Sequence, residues 1–224
     1  MYTYSIYLIA ILMGIKHAIE PDHIVAISTI VCKSKSFTKA SLLGLVWGIG
    51  HTLTLFIVGM IAISFKQTIS PDMAVILEKL VGLMIGFLGI RILLNYKKLN
   101  HTHVHENIDG EIHEHSHPHT HSHENHLDKK SNIYDYLKSM FVGLVHGLAG
   151  SAAMIILTIS TVSSAFEGAL FILCFGLGTI ISMFMFTTVL GIPFVKSQGF
   201  KLNQAMNIVV GLVSITFSAY YIFA

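Results

Sequence analysis

Gly14-Ile15-Lys16-His17-Ala18-Ile19-Glu20-Pro21-Asp22-His23-Ile24 sets two imidazoles and two carboxylates within seven residues of a chain that is apolar on either side. Tyr7 to Met13 precede the run and Ile24 to Ile27 follow it, so the ionisable groups interrupt a hydrophobic helix. Such groups are costly at membrane depth and mark function when they occur there. His17 and Asp22 are five residues apart and His17 and His23 six, which an unbroken helix would splay onto different faces. Pro21 removes one backbone donor and its ring bends the helix. The break is expected to leave the His17 carbonyl free and to turn His17, Asp22, His23 and that carbonyl toward one point. Imidazoles with a carboxylate suit a borderline divalent cation.

Composition sets the class. Of 224 residues 53% are hydrophobic and 12% charged, and the mean hydropathy is +0.69. A soluble domain of this size is far more polar. The chain therefore reads as an all-α integral membrane protein. The first apolar run has neither a basic leader nor a small-residue cleavage site, so it is expected to stay in the mature protein. Cys32 and Cys174 match no ligand spacing and read as packing residues.

Apolar stretches at about 3–32 (broken near Pro21), 39–63, 74–96, 138–160, 166–195 and 202–223 each reach the ~20 residues of a span, predicting six transmembrane helices. Lysines collect after the first, third and fifth spans. The positive-inside rule then puts those loops in the cytoplasm and both termini outside the cell membrane.

The halves resemble each other. Gly14-Ile15-Lys16-His17 through Thr29 aligns with Gly143-Leu144-Val145-His146 through Thr158 at an offset of 129. Gly48-Ile49-Gly50 aligns with Gly176-Leu177-Gly178 at 128, and Val81-Gly82-Leu83 with Val210-Gly211-Leu212 at 129. Three spans per repeat make the second enter from the opposite side, an inverted pair with its site near the midplane. The expected organisation is 1–96 as the first repeat, 97–137 as a His-rich cytoplasmic loop and 138–224 as the second repeat.

Four histidines, His17, His23, His51 and His146, fall inside spans. His51 lies near the middle of its helix, and His146 occupies the repeat position of His17. Together with Asp22 they form the candidate metal-ligand set. Glu20 reads as a ligand, an imidazole partner or a countercharge to Lys16. Thr52, Ser151 and Thr179 lie near the same level, where a bond to the preceding helical turn explains them equally well. Ten more histidines, from His101 to His126, alternate with polar residues that cannot build a core, so that loop is expected to be disordered and to bind metal weakly.

His17-Ala18-Ile19-Glu20-Pro21-Asp22-His23-Ile24 resembles the His-x4-Asp-His signature of the nickel/cobalt transporter family, and Gly50-His51-Thr52 resembles its Gly-His-Ser/Thr element. Gly143-Leu144-Val145-His146-Gly147-Leu148-Ala149-Gly150-Ser151-Ala152-Ala153 is similar to the branch that includes the urease accessory H-type membrane proteins. The His-rich loop is similar to that of the superfamily's efflux members. The resemblance implies translocation of Ni2+ or Co2+ as substrate, with no organic cofactor and no enzymatic activity. It implies the lipid bilayer and a cytoplasmic nickel chaperone or apo-enzyme as partners, and no nucleic acid. The extra N-terminal helix and acidic second-half motifs of the standard uptake permeases are missing, which leaves direction open. A zinc or other divalent-cation transporter is the first alternative. The second is a membrane protein that hands metal to a nickel enzyme without transporting it.

Overall fold

The computed structural model describes residues 2–32, 34, 36–65, 70–98, 103–106, 112–115, 127–162, 164–196 and 200–223. Side chains at 2–4, 95–132, 150–153, 155–157, 159–161 and 200–201 lie outside the description. The described chain is helical apart from one hairpin: α1 (Tyr2–Ala18), α2 (Pro21–Val31), α3 (Phe37–Phe65), α4 (Pro71–Lys98), β1 (His103–Glu106), β2 (Ile112–His115), α5 (Leu127–Thr161), α6 (Ala165–Lys196) and α7 (Phe200–Phe223).

The first apolar stretch divides where Pro21 predicts. Glu20 is extended at φ −66° and ψ 149°, the conformation that a following proline imposes, and Pro21 opens α2, where a missing N–H costs nothing. The expected free carbonyl does not occur. The Glu20 N–H bonds the His17 carbonyl at 3.1 Å and the Ile19 N–H bonds that of Lys16 at 3.2 Å, so a tightened last turn closes α1.

Among the described residues four helical stretches are long and apolar enough to cross a membrane: Phe37–Phe65, Pro71–Leu94, Ala165–Lys196 and Leu202–Phe223. The first expected span does not count among them because its pieces, of 17 and 11 residues, are each shorter than a ~30 Å hydrocarbon core at ~1.5 Å per residue. The fourth lies in α5, where part of the apolar run falls among side chains outside the description. Helix α5 starts at Leu127, ahead of the expected 138. Within the stretch expected to be disordered, β1 and β2 pair antiparallel with His105 opposite His113 and His103 opposite His115. The rest of His101–His126 lies outside the described residues.

Helix α3 packs along both α5 and α6, α6 also packs along α1, and α4 pairs with α7. Helix α2 touches α3, α4, α5, α6 and α7, and Val25, Ala26, Ile27, Ile30 and Val31 are all buried. Glycines set the closest approaches. A Cβ on Gly14 would strike the Phe175 carbonyl, and one on Gly143 would strike that of Trp47. Hydroxyls then bridge the helices, Thr54 donating to the Leu144 carbonyl at 2.9 Å and Ser182 to that of Ile15 at 3.3 Å.

Two apolar clusters stack along the bundle. One holds Ile27, Leu43, Trp47, Val142 and Met183, the other Leu55, Met154, Phe171, Ile172 and Phe175. Along α3, His51 falls between Trp47 and Leu55. Along α5, His146 falls between Val142 and Met154, and along α6, Thr179 falls between Phe175 and Met183. One polar layer is thus enclosed between two dry ones.

Candidate metal centre

The break between α1 and α2 delivers three side chains to this layer. His17 ends α1, where the helix dipole is negative, and Asp22 and His23 open α2, where it is positive and favours a carboxylate. Helix α3 adds His51 and α5 adds His146. Ring centroids are 4.4 Å apart for His17 and His23, 5.1 Å for His23 and His51, 5.3 Å for His17 and His51, and 4.3 Å for His23 and His146. All five residues named from the sequence lie together.

His23, His51 and His146 are fully buried. Asp22 accepts from His23 Nδ1 at 3.0 Å through Oδ1 and from His146 Nε2 at 2.9 Å through Oδ2. Glu20, half-buried, accepts from His17 Nδ1 at 2.8 Å. Of the readings open to Glu20, the contact matches that of an imidazole partner. Buried without a hydrogen-bond partner are His17 Nε2, His23 Nε2, both nitrogens of His51 and His146 Nδ1. Each such group costs about 1–3 kcal/mol, and a cluster of them calls for an ion or water to satisfy it.

Donor atoms of His17, His23 and His51 lie within 4.8 Å of one another, as do those of Asp22, His23 and His146. An ion bound at ~2.1 Å by each donor in a tetrahedral site spreads those donors by ~3.4 Å, so either trio would close on one ion by an inward shift of its side chains. The candidate set holds no thiolate, because Cys32 and Cys174 pack in separate apolar clusters.

The polar residues at this level behave as bundle staples. Thr179 donates to Phe175 in its own helix at 3.1 Å and lies 3.2 Å from the Gly14 carbonyl. Thr52 reaches across to the Gly176 carbonyl at 3.3 Å. The Ser151 side chain lies outside the description. Sequence reasoning did not assign Trp47, which stacks on His51 at 5.0 Å with 10° between planes. Its signal was available, since it is the single tryptophan of the chain and stands one helical turn before His51.

Residues 24–220 match the family described as the cytochrome c biogenesis protein transmembrane region. The urease accessory protein UreH of Bacillus sp. (strain TB-90) is 44% identical, over 98% of this chain and 91% of that protein. The chain belongs to the UreH family. A protein of Methanocaldococcus jannaschii, provisionally named a nickel/cobalt efflux system, is 25% identical over 84% of this chain and 75% of its own. No solved structure matches. UreH-type chains are thus membrane proteins allied by sequence to nickel and cobalt transporters, as the signature around His17 and Asp22 implied, and their named relatives are accessory and transport proteins, not enzymes.

Proposed function

We propose that this UreH-type chain carries Ni2+, with Co2+ as the close alternative, across the cell membrane through His17, Asp22, His23, His51 and His146 near the membrane midplane. The observation that carries the reading is the set of buried imidazole nitrogens left without partners between two apolar clusters. Nitrogen donors suit Ni, Co and Zn over Mg or Ca, and the relatives' names favour nickel and cobalt within that group. The apolar clusters above and below keep water from the ion, so passage requires each to open in turn.

Six spans in two inverted repeats, 1–96 and 138–224, are the architecture that this reading requires. Close contacts repeat at the alignment offset and support it. Gly14 against Phe175 matches Gly143 against Trp47, and Gly50 against Met140 matches Gly178 against Ile11. The bonds from Thr54 to Leu144 and from Ser182 to Ile15 form a further matched pair. Lysine placement supports external termini and a cytoplasmic 97–137 segment whose histidines concentrate metal at the pathway mouth. A cytoplasmic nickel chaperone or apo-enzyme is the partner suggested by the relative's name, urease accessory protein. The family description offers a second reading through its words, cytochrome c biogenesis. Thiol exchange within the membrane would need two cysteines in reach of each other, and the placement of Cys32 and Cys174 in separate clusters favours the metal reading.

Flux into sealed proteoliposomes, measured for Ni2+, Co2+ and Zn2+ in both protein orientations, tests the proposal. Ni2+ accumulates with the unaltered chain and not with His23→Ala. Binding without flux would assign the chain to metal delivery, and preference for Zn2+ would overturn the choice of ion.

A further inference from the structure

The two carboxylates of the centre are already engaged, each by an imidazole. An ionised carboxylate only accepts hydrogen bonds, so the short contacts of Asp22 require hydrogen on His23 Nδ1 and on His146 Nε2. The contact of Glu20 likewise requires hydrogen on His17 Nδ1. A neutral imidazole with hydrogen on one nitrogen has its lone pair on the other. His17 and His23 are therefore each left with a bare Nε2 and His146 with a bare Nδ1, and these three atoms are among the buried nitrogens without partners. His51, whose two nitrogens are both unpartnered, stands with His17 and His23 in a trio that brings one ring nitrogen from each within 4.8 Å.

We propose that the ion is held by imidazole nitrogens alone, from His17, His23 and His51, while Asp22 and Glu20 are positioning residues that select the nitrogen each histidine presents. The inference rests on the metal reading above and divides its labour. His146, reaching Asp22 from α5, fixes the carboxylate that in turn fixes His23, which ties the orientation of a donor in the first half to a helix of the second. Asp22 also places a negative charge beside the arriving cation at the N-terminus of α2 without entering its coordination sphere. Orienting carboxylates behind metal-bound histidines raise ligand basicity, and their removal costs 10–100-fold in affinity. A trio of nitrogens favours borderline cations and gives hard cations such as Mn2+ or Mg2+ no oxygen to bind.

Co2+ absorption of the purified full chain in detergent tests this, because the visible bands report the number and geometry of donors. Asp22→Asn offers a carbonyl to one ring but can only donate to the other, so one imidazole loses its orientation. Co2+ binding is expected to weaken 10–100-fold with band positions unchanged, whereas His17→Ala, His23→Ala and His51→Ala each shift the bands or abolish them. Bands that shift in Asp22→Asn as they do in the histidine variants would make Asp22 a ligand and overturn the proposal. Glu20→Gln, at a half-buried side chain, repeats the test at His17 and decides it should Asp22→Asn fail to fold. Absence of Co2+ binding by the unaltered chain would remove the metal reading itself, an outcome distinct from a band shift.

Discussion

Trp47 lies flat against His51 and edge-on to His23, with centroids 5.0 and 5.1 Å away. A fully buried indole at the floor of the polar layer limits the rotamers open to both rings, and it closes the layer toward Leu43 and Val142 in the same cluster. Its removal acts on stability and on the donors together. Trp47→Ala is expected to cost about 3–5 kcal/mol, read as a lower unfolding midpoint in detergent. Co2+ affinity should fall as well, since His51 has no hydrogen bond to hold its ring. Unchanged affinity in a destabilised Trp47→Ala would separate the packing role from the orienting one.

At the scale of elements, the break between α1 and α2 is the decisive feature. Pro21 forces Glu20 into the extended region and lets the chain restart as α2 with Asp22 and His23 in its first turn. Pro21→Ala restores the missing donor and removes that constraint. In a continuous helix at ~100° per residue, His17 and Asp22 would diverge by ~140° and His17 and His23 by ~120°. The expected result is a chain with equal helix content by circular dichroism that has lost at least tenfold in Co2+ affinity and all measurable Ni2+ flux. The α3–α5 approach is the second sensitive element. Gly143→Val puts a side chain against the Trp47 carbonyl, a backbone atom that cannot step aside. Overpacking of this kind costs about 1–3 kcal/mol, seen as a lower unfolding midpoint, and Gly143→Ala should cost less.

For the whole molecule, the enclosed layer and the polar segment between the halves predict separable roles. Deletion of 101–126 is expected to lower apparent affinity for Ni2+ while leaving flux at saturating metal within about twofold, because its imidazoles capture metal without lining the path. His23→Ala, by contrast, removes flux at every concentration. A collapse of maximal flux on deletion, as large as that of His23→Ala, would place the segment in the pathway. The salt bridge from Lys39 at the start of α3 to Asp135 in α5 joins the halves at the end from which this segment emerges. Asp135→Asn removes a partly exposed pair worth about 0–1 kcal/mol and should leave flux and unfolding midpoint nearly unchanged.

Membrane class, the break at Pro21 and the five residues of the centre were all legible in the sequence, for a common reason. In an apolar chain every ionisable side chain is an exception with an energetic cost, so His17, Asp22, His23, His51 and His146 stand out before any packing is known. Which carbonyls Gly14 and Gly143 would meet was not legible, because those contacts lie across helices. Partner choice was decided only by tertiary structure. The His17 carbonyl was expected to be free, but the turn at Glu20 satisfies it locally, because a chain emerging from a helix can close its own last carbonyls before a ligand is needed. Trp47 carried no assignment from the sequence, and only the packing of the helices lays its ring on His51. Asp22 read as a candidate ligand, and that its two oxygens also reach His23 and His146 was decided only by the approach of α5 to α2, since residues 124 positions apart share no local signal.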